Sequence, residues 1–385
     1  MNIKAAEVVD LTRHLIGFDT VNPPGNEGPA MHALGAYLGE AGCQVQYLEV
    51  ELGRPNLVAR VEGKHASGHL VLSGHMDVVP FGESQWDHPP LAAAQVDGRI
   101  IGRGAADMKG GVAAMAVALA TLARRRAQLQ ADVVLAVTMN EEAGMTGARH
   151  LVDSHVLEGI GYLVVGEPTG LDVCVAQKNS IQWRVMVRGQ TAHGSRPHLG
   201  ANAITAMGPI VGALSREPLS HWRHDLLGRA TVSVNAIRGG SAANVVPDLC
   251  EIVLDMRALP GQTLEDLREV LQAVIERAAR ESGLPVTTEL ELLRPGSSIE
   301  TDRKSPLISV ALGVLKSVTG REHLIAGFPG GTEVAVYTKK YDVPWIICGP
   351  APFDQAHQPN EWVDERELHQ AARAYMLLAE TLLPA

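Results

Sequence analysis

The chain has 385 residues, 46% of them hydrophobic and 20% charged, enough for two domains of ordinary size with full cores. Its net charge of −10 excludes a polyanionic partner such as nucleic acid or an anionic membrane surface. Four scattered cysteines (Cys43, Cys174, Cys250, Cys348) form no CxxC pair, which excludes a disulfide framework or thiolate zinc site and fits a reducing, cytoplasmic setting.

Residues 4–17 place Val8, Val9, Leu11, Leu15 and Ile16 on one helical stripe, and the segment Asn22-Pro-Pro-Gly-Asn26 stops it. The N-terminus carries acids where a signal peptide would be apolar, and no apolar run reaches the roughly 18 residues of a membrane span. A second helix is predicted near 28–41, then strands over Val45–Val50, Asn56–Val61 and Leu70–Asp77. The stretch 81–99 is polar and turn-rich. GRGAADMKGG at 102–111 leads into Val112–Leu122, a helix apolar on nearly every side, which needs a sheet on one face and other chain elsewhere. Asp132–Met139 reads as a buried strand ending at Asn140-Glu141-Glu142. A polar helix over 143–157 leads to the strand Tyr162–Val165, which ends at Gly166-Glu167-Pro168-Thr169. Strands alternating with helices predict an α/β domain with a largely parallel sheet.

The pattern changes near 179. Ser180–Val187 alternates like a half-exposed strand, 201–216 reads as a helix, and Thr231–Ile237 and Glu251–Arg257 are two more alternating strands. An amphipathic helix over 263–281 and the strand Val286–Leu293 complete β-α-β-β-α-β, the order of a split-βαβ sandwich with four antiparallel strands and both helices on one face. A helix over 305–318, the strand Trp345–Cys348 and a closing helix Asp364–Leu383 return to the first style. The reading is an α/β domain, residues 1–179 and 295–385, interrupted by a smaller α+β domain, residues 180–294.

The acids and histidines sit where strands end. In Leu72–Pro80, LSGHMDVVP, His75 and Asp77 are two apart and share a face of the strand. A carboxylate beside an imidazole fixes its tautomer and leaves the other nitrogen for a cation. Asp107, Glu141-Glu142, Glu167 and His357 occupy comparable places, and open α/β sheets gather functional groups beyond the carboxyl ends of their strands. Singly, each has a plain explanation: Asp107 as a helix cap, Glu141-Glu142 as an acidic first helical turn, Glu167 and His357 as surface loop residues. Together they form a set of carboxylates that would repel unless cations stood between them. Imidazole and carboxylate without thiolate suit Zn²⁺ or a similar ion, and five ligands suit two ions sharing a carboxylate.

The motifs GHMDVVP, GRGAADMKGG, NEEAG, GEPT, AHGSRPHLGANAI and AHQPNEW, in this order from about residue 70 to 363, resemble those of the co-catalytic zinc amidohydrolases and peptidases. That family includes acetylornithine deacetylase, succinyl-diaminopimelate desuccinylase, aminoacylase and glutamate carboxypeptidase. The resemblance implies a zinc aminopeptidase-like catalytic domain and a ferredoxin-like lid that also forms a homodimer. It implies two Zn²⁺, replaceable by Co²⁺ or Mn²⁺: His75 and Glu167 on one, Glu142 and His357 on the other, Asp107 bridging. Asp77 would orient His75, and Glu141 would be the general base of a zinc-activated water. His193, in TAHGS, would reach the partner subunit's site to steady the oxyanion. Asn244, Arg257, Gly331 and Thr332 match positions that hold the substrate carboxylate or line its pocket. The substrate implied is a small N-acyl amino acid or dipeptide with a free carboxylate. QAHQPNEW and the Thr332-Glu333 step resemble most the acetylornithine deacetylase branch, which serves arginine biosynthesis. N-Succinyl-diaminopimelate, a broader range of N-acyl amino acids, or peptides cleaved from the carboxyl end are the alternatives. A family member without metal, acting only as a binding protein, is the non-catalytic alternative.

Overall fold

The computed structural model describes residues 3–216, 219 and 222–384. The chain forms two compact units, one of Met1–Val175, Thr301–Ala326 and Thr332–Ala385, the other of Ala176–Glu300 and Gly327–Gly331. Helices α1 (Ala5–Ile16) and α2 (Gly28–Glu40) precede the hairpin β1 (Gln44–Glu51) and β2 (Arg54–Val61), then β3 (His65–His75). Short strands β4 (Ala94–Val96) and β5 (Arg99–Ile101) lead to α3 (Lys109–Arg124), β6 (Ala131–Thr138), α4 (Thr146–Asp153), β7 (Ile160–Val165) and β8 (Val173–Gln177). Next come β9 (Ser180–Arg188), α5 (Ala203–Leu214), the pair β10 (Arg223–His224) and β11 (Gly228–Arg229), β12 (Thr231–Gly239) and β13 (Leu249–Arg257). They are followed by α6 (Leu264–Glu281), β14 (Thr287–Arg294) and β15 (Ile299–Glu300). The chain returns through α7 (Pro306–Thr319), β16 (Ile325–Phe328), α8 (Val334–Tyr337), β17 (Trp345–Ile347), β18 (Trp362–Asp364) and α9 (Glu365–Leu382).

The central sheet runs β1-β2-β6-β3-β7-β17-β8, and its middle four strands, β6-β3-β7-β17, are parallel. The flanking pairs are antiparallel. Parallel strands are covered on both faces, which is why β6 reads ADVVLAVT with every residue buried rather than alternating. Helix α3 lies on β2, β3 and β6, with α1 and α9 against its other sides. Every residue from Lys109 to Leu122 is therefore buried, as an all-round apolar helix requires.

In the second unit the sheet order is β12-β13-β9-β14, all antiparallel. Helices α5 and α6 pack together, α5 on β12, β13 and β9, α6 on β14. Ile181, Trp183, Val185 and Val187 of β9 point into this core beside Ile252, Leu254, Ile210 and Leu271. The mixed α/β architecture and the β-α-β-β-α-β order are those expected.

Several stretches depart from expectation. β8, VCVAQ, is buried at all five positions and comes so soon after a turn that no pattern announces it. The polar stretch 81–99 runs into β4 and β5, which join β18 in a three-stranded sheet too short for alternation to register. The helix expected over 143–157 starts only at Thr146, after Met145 in the left-handed region, so Glu141 and Glu142 are not in its first turn. Among the described residues no helix is long and apolar enough to cross a membrane.

Candidate active site

β3 ends at His75, which faces Thr138, the last residue of β6, across a parallel ladder. Beyond Thr138 the chain turns through Asn140, held at φ 57°, and presents Glu141 and Glu142. β7 ends at Val165, two residues before Glu167. Three neighbouring strands of the parallel sheet thus deliver an imidazole and three acids at their carboxyl ends.

His75 is buried, and its Nδ1 lies 2.9 Å from the main-chain carbonyl oxygen of Asp77. A carbonyl only accepts, so Nδ1 carries a ring proton, and Nε2 is the nitrogen turned toward the acids: it donates to them while they are its only partners and is the nitrogen a cation would take in place of that proton. Nε2 stands 3.0 Å from Asp107 Oδ1 and 3.7 Å from Glu167 Oε1. On the other side, half-exposed His357 places Nε2 3.1 Å from Glu142 Oε1 and 3.3 Å from Asp107 Oδ2. Asp107 therefore turns one oxygen toward each imidazole. Potential ligand atoms of His75, Asp107 and Glu142 all lie within 4.8 Å of one another. The helix-cap explanation for Asp107 fails, because α3 starts after Met108 with no side-chain cap bond.

The electrostatics call for positive charge at this point. Burial, then the neighbouring acids, push the Glu141 and Glu167 carboxyls well above the ordinary range, and Glu142 also rises. Burial opposes a charge on His75, but Asp107, Asp77 and Glu167 outweigh it and raise its pKa well above the usual value. Bonds to Asp107 and Glu142 raise His357 to about 10. Burial would raise Asp107, yet His357 and His75 hold it below the usual carboxylate range. A pocket of three carboxylates and two imidazoles, with no thiolate, fits divalent cations of the Zn²⁺ type, and one shared carboxylate among five donors fits two of them.

Asp77 faces His75 with both its main chain and its carboxylate. The chain turns after His75, so the side-by-side arrangement of a strand lapses, and the main-chain carbonyl of Asp77 accepts the hydrogen bond from Nδ1–H at 2.9 Å. The carboxylate lies 3.6 Å from Nδ1. It also accepts from the N–H of Glu141 at 2.9 Å, the N–H of Glu142 at 3.1 Å and Asn22 Nδ2 at 2.8 Å. Asp77 thus fixes the backbone from which both glutamates project.

Several supporting residues escaped the sequence reading. Glu361 Oε1 accepts from the N–H groups of Ala106 and Asp107 at 2.8 and 3.0 Å, and its Oε2 from Arg103 Nη1 at 2.6 Å. Arg103 also donates to the carbonyls of Pro80, His357 and Gln358. This buried pair stitches the Asp107 turn to the His357 loop. Glu27, bidentate with Arg54, accepts from the N–H of Asn140. Lys109 Nζ donates to the carbonyls of Leu15 and Phe18, and burial lowers its pKa to about 7. Their only sequence signal was a charge inside a Gly-rich or apolar context. Close backbone approach explains two glycines: a Cβ at Gly111 or Gly349 would stand 2.3 or 2.2 Å from the carbonyl oxygen of Gly166, beside Glu167.

In the second unit, His193 and Asn244 lie together: the chain pairs at His193 and Val245, and Gly194 N–H donates to the Asn244 carbonyl at 2.7 Å. His193 is exposed, with Nδ1 2.8 Å from Ser195 Oγ. Arg257 is not with them. It closes β13 opposite Ser180, whereas Leu249, beside the His193 segment, pairs with Arg188. Eight residue steps of strand, about 26 Å, separate the two ends, so one copy of this unit cannot bring Asn244 and Arg257 onto one carboxylate. Arg257 Nε donates to Asp255 Oδ1 at 2.8 Å. Gly331 approaches the Asn179 side chain, and Thr332 is buried with its hydroxyl accepting from Val334 N–H.

The sequence profile of peptidase family M20/M25/M40 matches residues 71–381. The acetylornithine deacetylase of Photorhabdus laumondii is 31% identical over 378 residues, 94% of each chain. The fold is shared with the solved structure of aminopeptidase PepT from Bacillus cereus (TM-score 0.79, 20% identity, 99% of each chain). It is shared also with the YXEP protein of Bacillus subtilis, described as a dinuclear metal-binding peptidase (TM-score 0.75, 20% identity, 98% of each chain). The chain belongs to peptidase family M20/M25/M40 and is a metal-dependent amide hydrolase.

Proposed function

We propose that this enzyme removes the acyl group from a small N-acyl amino acid, with N-acetylornithine the leading substrate, in the cytoplasm. The observation that carries the reading is the convergence of His75, Asp107, Glu142, Glu167 and His357, with the carboxyl of buried Glu141 within electrostatic reach of His75 and Glu142 and its Oε1 without a hydrogen-bond partner. His75 with Glu167 and His357 with Glu142 would hold two Zn²⁺, and Asp107 would be shared. When bound, such ions polarise an amide carbonyl and make water acidic enough to ionise near neutral pH.

The remaining steps belong to side chains. Glu141 is buried, and its Oε1 has no hydrogen-bond partner, so a lone pair is available for a proton. It takes the proton of the attacking water and returns it to the leaving amine nitrogen as the C–N bond breaks. Asp77 keeps Glu141 in place through its backbone N–H. Arg257 would bind the substrate carboxylate, with Gly331 and Thr332 lining the pocket. His193 and Asn244 would serve the partner subunit of a homodimer, His193 donating to the carbonyl oxygen as negative charge develops there. Their place at the far end of the β9–β13 pair from Arg257 supports that division. Edge strand β12, with Ile237 exposed, offers a route to pairing.

The test is a side-by-side assay of zinc-loaded enzyme on N-acetylornithine, N-succinyl-diaminopimelate, N-acetylmethionine and a dipeptide. The reading predicts the highest kcat/KM on N-acetylornithine. Preference for a different compound moves the substrate, and no turnover of any of the four sinks the reading.

A further inference from the structure

Glu333 stands just before α8 and is fully buried, yet nothing in the proposed chemistry uses it. Its Oε2 accepts from Ser73 Oγ at 3.1 Å and its Oε1 accepts from Thr138 Oγ1. Ser73 also bonds Tyr337 OH at 3.0 Å. Among the described residues no lysine, arginine or histidine bonds to Glu333. Burying a carboxyl without a cation works against folding, and an apolar side chain there would pack at lower cost. Burial accordingly raises this carboxyl to about 7, its bonds to Thr138 and Ser73 opposing the rise.

The two hydroxyls it holds occupy informative places. Ser73 lies on β3 two residues before His75, paired with Ala136 of β6 and Val165 of β7. Thr138 is the last residue of β6, opposite His75 and three residues before Glu141. One side chain, delivered from the far end of the sequence beside Thr332, therefore spans the tips of the two strands that carry His75 and the Glu141-Glu142 turn. We propose that Glu333 is a positioning residue: by bridging Ser73 and Thr138 it sets the spacing of the β3 and β6 tips, and so the distance between the cation-binding imidazole of His75 and the base Glu141. This rests on the roles proposed for His75 and Glu141.

The test uses the full-length protein as wild type, Glu333→Ala, Glu333→Gln and Thr138→Val. Zinc Kd is measured by competition with a chromophoric chelator, and kcat and KM are measured at saturating zinc per folded molecule. Glu333→Ala removes both contacts; zinc Kd should weaken about ten-fold and kcat fall at least ten-fold, with KM within two-fold. Glu333→Gln keeps a bond to each hydroxyl, accepting from one and donating to the other, and should return both quantities to within about three-fold of wild type. Thr138→Val, which leaves Glu333 in place, should reproduce part of both losses. Wild-type values in Glu333→Ala overturn the proposal, as does a Glu333→Gln protein no better than Glu333→Ala, since charge rather than contact would then be at work. If the wild type hydrolyses none of the amides while the zinc Kd series holds, the positioning role stands and the functional reading falls.

Discussion

Glu141 keeps Oε1 buried and without a partner, whereas its neighbour Glu142 bonds His357. That difference supports the proposal of proton transfer by the first and cation binding by the second. Glu141→Ala should keep the zinc content of wild type and lose about three decades of kcat. Metal analysis beside turnover checks it, and full activity would remove Glu141 from the mechanism. Glu333 carries a second residue-scale prediction. Its folded pKa of about 7 lies above the ordinary 4.5, so the folded state holds its proton more tightly than the unfolded chain. Stability from this group is complete below about pH 4.5 and is lost as pH rises through about 7, by up to about 3 kcal/mol. Glu333→Gln abolishes the titration. Urea unfolding of zinc-free protein should show the variant gaining on wild type by about that amount between pH 5 and 8; parallel pH curves would contradict it.

At the scale of elements, the site is a set of strand ends held by loops. Arg103 and Glu361 fasten the turn before α3 to the loop before β18 while both are out of reach of solvent. Arg103→Met leaves Glu361 buried without its cation and should cost about 3–5 kcal/mol, read by urea unfolding at pH 8. A change under 1 kcal/mol would mean the pair is dispensable. Elements such as β6, β7, α3, β9 and β13 were legible because apolar runs, all-round apolarity and strict alternation each have one structural meaning. His75, Glu142 and Glu167 could be set together in advance because each comes at the end of an apolar strand. β8 and the three-stranded β4-β5-β18 sheet were hidden, since segments of three to five residues carry no period. The partner of Asp77 was hidden as well, because it depends on where the chain turns after His75. Glu333 and Glu361 lie in motifs the sequence shows, the Thr332-Glu333 step and AHQPNEW, but their supporting roles were hidden: a glutamate reads as surface until the tertiary fold buries it.

For the whole molecule, the second unit sets His193 and Asn244 at one end of its sheet and Arg257 at the other. If His193 acts across a homodimer, Glu141→Ala and His193→Ala chains should complement each other. Mixed with subunit exchange, half the dimers are hybrid and each hybrid has one intact site, so activity should recover to about a quarter of wild type. No recovery, with hybrids verified by mass spectrometry, places His193 in its own subunit's chemistry or in none. The central claim, that two divalent cations share Asp107, is tested most directly by an anomalous-scattering map of zinc-loaded crystals. The account predicts two peaks per chain, one beside His75 and Glu167, the other beside Glu142 and His357, with Asp107 between them. One peak, or peaks away from these five residues, would contradict it.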